Sequence, residues 1–336
     1  MRNLDELVLQ IKKTVEKHNL GKPGQYQRWL WESAEKPRQL GLNEYGVADA
    51  ANILYQIGYF PQDPKERAEW VSVLQGMQNP ETGMYAESTH HTLHTTAHCM
   101  AALELFDAKP LYRPTEVLKY KDKNELYKLL DSLRWEDAPW RDSHIGAGIY
   151  VVMLLSDEAD IEWIRAYFKW LDDNADPITG MWRKGFTTLP ESLTHKVLGG
   201  AFHYLFNMEN HKRAIIYPEK MIDTCLEQYL SGELNHYFKN FGRRCEFLEM
   251  DFVYCITRAM RQCHHRFEEC RQTLLKFEKE FLDFMLSCDY EKDEGFNDMH
   301  SLFAATCTLA ELSSALPGTI ETTKPLKLVL DRRPFI

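Results

Sequence analysis

Residues 90–107 read His90-His91-Thr92-Leu93-His94-Thr95-Thr96-Ala97-His98-Cys99-Met100-Ala101-Ala102-Leu103-Glu104-Leu105-Phe106-Asp107. The segment opens on ionisable side chains and closes on an almost unbroken apolar run. His94 and His98 stand four apart, so a helix sets both on one face. A helix that is apolar nearly all round is buried on every side. The stretch therefore predicts an internal helix whose histidine end faces a cavity.

The same polar-then-apolar order returns along the chain. Segments of this kind begin near Asn43, His91, Asp142, Thr194, Glu246 and Asp298, at intervals of 48 to 52 residues. A fixed period of about 50 residues marks a repeat architecture. Amphipathic segments fall between them, over 65–78, 124–133, 160–171, 218–230 and 267–286. An opening helix over 1–18 carries Leu4, Leu7, Ile11 and Val15 on one stripe. No stretch alternates at period two, so almost no sheet is expected. Six pairs of one apolar and one amphipathic helix can close into a ring, apolar helices inside. The predicted fold is all-α, a single (α/α)6 toroid over 1–336. Residues 1–42 form a helix and an aromatic loop with Tyr26, Trp29 and Trp31, and residues 317–336 form an extended tail wrapping the barrel. Closure brings all six inner N-termini to one rim.

Composition narrows the class. The 336 residues are 44% apolar and 27% charged, enough for a sizeable core and unlike a disordered chain. Net charge is −10 with no Lys/Arg tract, which argues against a nucleic-acid partner. No apolar run reaches transmembrane length, so no membrane partner is expected. The first residues read as an amphipathic helix rather than a signal peptide. None of the eight cysteines forms a C-x-x-C pair, and most sit in apolar helical runs as small hydrophobes. The expected compartment is reducing and cytoplasmic. The oligomeric state is not readable from the sequence.

The turns between outer and inner helices share a pattern. One runs W-V-S-V-L-Q-G-M-Q-N-P-E-T-G-M-Y over 70–85, and another F-K-W-L-D-D-N-A-D-P-I-T-G-M-W over 168–182. A weaker copy covers 281–296. These strings, and H-T-T-A-H-C-M-A-A-L over 94–103, resemble the repeats of the squalene-cyclase and protein-prenyltransferase α/α-toroid superfamily. The resemblance implies an (α/α)6 barrel with its cavity at the N-terminal rim of the inner helices. The functional motifs of that group are not matched. The D-x-D-D acid motif of the cyclases is absent, and Asp251 and Cys255 stand four apart where the prenyltransferase zinc pattern needs two. Glycoside hydrolases, polysaccharide lyases and sugar epimerases use a similar barrel, so architecture alone does not choose a chemistry.

The rim residues carry the functional reading. Asp49, His94, Asp142, His144, Glu246, Asp251 and His300 are the candidates for catalysis. Tyr45, His91, Trp140, Arg141, Trp182, His195, Arg244 and His236 are the candidates for holding a substrate. Asn43, Asp142 and Asp298 also suit helix capping, because Asp and Asn favour N-caps. Histidines are poor caps, so their recurrence at the rim points to function. Tryptophans 135, 140 and 182 either stack on sugar rings or anchor long loops.

Three chemistries fit. Paired carboxylates can cleave a glycosidic bond. His and Tyr can act as base and acid beside a carbonyl or carboxylate, with an arginine holding an acidic sugar. His94 and His98 have the i, i+4 spacing of a metal pair, so any divalent metal is expected there. His203 reads as a satisfied core histidine, and Gly146, Gly148, Gly199 and Gly200 as close-packing positions. The expected function is an enzyme acting on a small saccharide or related polar ligand, a glycoside hydrolase, lyase or epimerase. The alternatives are a prenyltransferase- or terpene-cyclase-like enzyme and a non-catalytic binding toroid.

Overall fold

The computed structural model describes residues 1–32, 38–186, 194–231 and 247–336, with the side chains of 194, 195 and 294 excepted. The chain is mostly helical, as expected. Six helices carry the buried polar-to-apolar segments: α2 (Glu44–Gln56), α4 (Thr92–Leu105), α6 (Pro139–Leu155), α8 (Thr194–Asn210), α10 (Phe247–Met260) and α13 (Met299–Ala315). Their starts follow the 50-residue period closely. Helix α6 begins three residues ahead of Asp142 because Pro139 occupies its first turn, where a missing N–H costs nothing.

Local chemistry fixes the ends. Asn43 caps α2, its side chain accepting from the N–H groups of Tyr45 (2.9 Å) and Gly46 (3.3 Å). Asp298 caps α13 through the His300 N–H. The amphipathic segments form the second set: α1 (Asp5–Lys17), α3 (Pro64–Gly76), α5 (Lys123–Ser132), α7 (Ile161–Asp173), α9 (Pro218–Leu230) and α11 (Phe267–Ser287), with the one-turn α12 (Glu294–Asn297) leading into α13. Helix α7 is typical: Trp163, Ile164, Tyr167, Phe168, Trp170 and Leu171 are buried and its charged residues face out. The two best sequence copies fold alike. Gly83 N–H bonds to Asn79 C=O, and Gly180 N–H to Asp176 C=O, each at 2.8 Å. Both glycines take positive φ, +69° and +74°.

The buried helices contact one another in a closed cycle. Helix α2 packs on α4, α4 on α6, α6 on α8, α8 on α10, α10 on α13, and α13 returns to α2. Gly148 allows the α4–α6 approach: a Cβ there would lie 3.1 Å from the Leu93 carbonyl oxygen. Sheet is limited among the described residues to a parallel pair, Arg2–Asn3 with Ile320–Glu321, and isolated bridges. No helix is long and apolar enough to cross a membrane among the described residues.

The tail departs from an outer wrap. After pairing with residues 2–3 it turns inward, and the short helix α14 (Val329–Arg332) touches both α2 and α8, on opposite sides of the cycle. Arg333, Phe335 and Ile336 are buried. The reason is apolar demand: the middle of a six-helix cycle must be filled, and Val329, Leu330, Phe335 and Ile336 supply the surface. A buried ion network holds the tail there. The Arg258 guanidinium of α10 reaches Glu311 of α13 at 2.6 and 2.7 Å and Asp331 of α14 at 3.0 Å.

Candidate functional site

At the N-terminal end of the cycle lies a cavity of about 470 Å³. His90, His94, His144, His203 and His300 line it, with Trp140, Phe247 and Ile336 as apolar wall. Arg134, Asp137, Arg141 and Lys196 complete the lining. Trp140 reaches its place because residue 199 is glycine; a Cβ there would lie 2.6 Å from the indole.

The histidines sort into two groups. In the first, Asp49 of α2 bridges α4 and α13. His98 Nε2 lies 2.8 Å from Asp49 Oδ1, and His300 Nδ1 lies 3.0 Å from Asp49 Oδ2. A carboxylate only accepts, so both imidazoles donate to it. His300 also lines the cavity, so the pair stands at its wall. Burial pushes the Asp49 pKa up, but His300 and His98 outweigh it and hold the carboxyl well below its usual range. His98 is pushed down to about 4 by burial, against the pull of Asp49, and is neutral at physiological pH.

The second group is His94 of α4, His144 of α6 and His203 of α8. One ring nitrogen of each lies within 4.8 Å of the others. His94 Nδ1 is 2.6 Å from the Tyr45 hydroxyl. His203 Nδ1 is 2.9 Å from the Gly199 carbonyl and 3.0 Å from Ser143 Oγ. Burial lowers all three, and for His94 and His144 the neighbouring histidines add to it; His203 falls to about 3. Like charges cannot accumulate in so small a space, so these rings are neutral. Tyr45 stacks on His90 (centroids 4.4 Å) and His98 (4.8 Å), which fixes the planes of both.

Set against the sequence expectations, His94, His144, His300, Trp140 and Arg141 all line the cavity, while Asp49 and Tyr45 stand behind it as partners of the lining histidines. Five assignments change. His91 is an N-cap, its Nδ1 accepting from Leu93 N–H at 3.1 Å, so a histidine does cap here. Asp142 binds Arg134 through its backbone N–H, Nε and Nη2, at 2.6 to 3.0 Å, which orders the loop before α6. Trp182 is buried, donates to the Leu171 carbonyl and packs on Tyr204, so it anchors a loop. Asp251 is fully buried away from the cavity lining. His94 and His98 belong to different groups: His98 is taken up by Asp49, beside His300, while His94 meets His144 and His203. Glu246, His236, Arg244 and the His195 side chain lie outside the described residues.

Sequence reasoning missed His203, Asp137 and Arg134. His203 stands deep in its helix, five residues before Met208, and reads as a core histidine, yet it meets His94 and His144. The D-D-x-x-D diphosphate motif, expected to be absent like the D-x-D-D motif, is present as a string from Asp172 to Asp176 at the end of α7. It is structural: Asp172 pairs with Arg213, Asp173 with Lys169, and Asp176 accepts from Ile178 N–H and Thr179 Oγ in the turn. The chain matches no family model, no curated protein and no solved structure.

Proposed function

We propose that the chain is an α/α toroid, its six-helix cycle the inner ring, and that the cavity is the site of an acid/base enzyme of the lyase or epimerase type. Its substrate is a small polar acid such as a uronic acid. The single observation that carries the reading is the Asp49–His300 dyad at the cavity wall. A carboxylate behind a histidine holds its tautomer and orientation and stabilises the imidazolium once it forms. His300 Nε2 then takes a proton from the carbon next to the substrate carboxylate, and the electron pair left behind delocalises onto that carboxylate.

The rest of the lining supports this choice among the three chemistries. Arg141 and Lys196 make no ion pair among the described residues and can hold an anionic substrate. Paired-carboxylate cleavage loses ground because Asp49, Asp142 and Asp298 are each committed to a cation or a histidine. Asp137 is the one carboxylate among the described lining residues. The described cysteines are unpaired, which supports a cytoplasmic setting, and the substrate is a small molecule rather than a nucleic acid.

The test is proton exchange. The protein is incubated with uronic acids and hydroxy acids in D₂O, and loss of the proton signal next to the carboxylate is followed by NMR. The expected result is exchange that disappears in His300→Ala. Exchange unchanged in His300→Ala would remove the dyad from the chemistry. Binding of a prenyl diphosphate instead, with no exchange on any acid, would promote the transferase reading.

A further inference from the structure

We infer that His94, His144 and His203 form a three-histidine site for a divalent transition metal of the zinc type, its fourth position open to the cavity. The inference stands on geometry independent of the role of His300.

Three helices, α4, α6 and α8, each deliver one imidazole to the same point. Their ring nitrogens lie within 4.8 Å of one another. A tetrahedral zinc with Zn–N near 2.0–2.1 Å sets its nitrogens roughly 3.4 Å apart, so modest ring rotation completes the site. The rings are also held from behind. His203 Nδ1 donates to the Gly199 carbonyl, and His94 Nδ1 meets the Tyr45 hydroxyl, which leaves Nε2 of both without a hydrogen bond among the described residues. Metal-bound histidines characteristically donate their other nitrogen to a carbonyl or similar acceptor, which fixes the tautomer.

Neutral imidazole is the ligating form, and packing against an apolar floor suits it. Phe335 lies edge-on to His94 at 4.9 Å and 6.0 Å from His203. All three histidines line the cavity, so a fourth ligand, water or a substrate oxygen, has access. Three protein ligands with an open position are the pattern of catalytic rather than structural zinc. A cation there would polarise a carboxylate or carbonyl oxygen held in the cavity.

The Asp49, His98 and His300 group is the weaker choice. Both oxygens of Asp49 already take an imidazole N–H, so a metal would have to displace two short hydrogen bonds. Imidazole nitrogens alone favour zinc, copper, iron or nickel over magnesium or calcium.

The experiment titrates chelator-treated protein with Zn²⁺ alone by calorimetry and with Co²⁺ alone by visible absorption. We expect one equivalent of Zn²⁺ and a Co²⁺ spectrum of four-coordinate type. Both are lost in His203→Ala and in His144→Ala; the half-buried His144 guards against a folding defect, checked by circular dichroism. Tyr45→Phe removes only the hydroxyl behind His94 and weakens Zn²⁺ by about 10–100-fold. His91→Ala, a cap outside the group, leaves binding unchanged. No Zn²⁺ uptake by the wild-type chain overturns the proposal. So does uptake that survives His144→Ala and fails in His98→Asn, which would move the ion to the other group. His144→Ala and His203→Ala leave the Asp49–His300 bond in place, so proton exchange measured in those variants separates failure of this inference from failure of the acid/base reading.

Discussion

Asp49 and Asp251 stand at nearly the same depth of two of the buried helices, α2 and α10, and both are 0% exposed. Their chemistry is opposite. Asp49 takes an N–H from His98 and another from His300, and keeps its charge. Neither oxygen of Asp251 has a hydrogen-bond partner among the described residues, and burial, with Glu249 adding to it, pushes its pKa well above the carboxylate range. Burial poses the same problem to both, and the partner decides the outcome: a paired carboxylate stays ionised, and an unpaired one keeps its proton. Both are an aspartate in an apolar helical run, so nothing local in the sequence separates them.

The sharpest way to break this contrast is to remove each carboxylate. Asp49→Ala strands two buried histidines and should cost about 3–5 kcal/mol, the penalty for breaking a buried pair. Urea unfolding measures it, and an equal loss in Asp251→Ala would erase the distinction. Catalysis gives the next test. Asp49→Asn should slow proton exchange about a hundredfold, with the Asp49→Asn/His300→Ala double variant little slower than His300→Ala alone, because the two act as one unit. Asp251→Asn should leave the exchange rate where it was; a comparable fall there would place Asp251 in the chemistry.

Acidity provides a finer test. Unfolded, Asp251 ionises near pH 4 (about 3.9); folded, it ionises only well above that. Between the two the folded chain holds one more proton, so this group's contribution to stability falls as pH rises from about 4. Asp251→Asn removes that loss, and its unfolding free energy in urea should gain on the wild type with rising pH, by up to about 1.4 kcal/mol per pH unit. Identical pH profiles would mean that the carboxyl ionises in place. The smallest effect belongs to Asp142. Its partner Arg134 is half exposed, so Asp142→Asn should cost less than about 1 kcal/mol in the same unfolding measurement.

The periodic features were readable in the sequence. The 50-residue spacing gave the buried helices to within three residues of their starts, and amphipathic stripes gave the helices between them, because burial on one or all faces leaves a direct mark on residue order. The rim also signalled itself, through His94, His144 and His300. Pairing across helices left no such mark. That His98 and His300 share Asp49, or that His203 joins His94 and His144, depends on how far each helix slides along the ring. The inward course of the tail was hidden for the same reason: Phe335 and Ile336 look like any apolar end until the middle of the cycle needs filling.

The Asp49–His300 bond has one more consequence, and it concerns time. Its two residues are 251 positions apart, on helices α2 and α13, where the cycle closes on itself. Each other inner-helix contact joins neighbours in the repeat and can form early, whereas this one must wait for loop closure across nearly the whole chain. Refolding should therefore restore helical signal before it restores the dyad. A protein caught between those two moments has its secondary structure and no site.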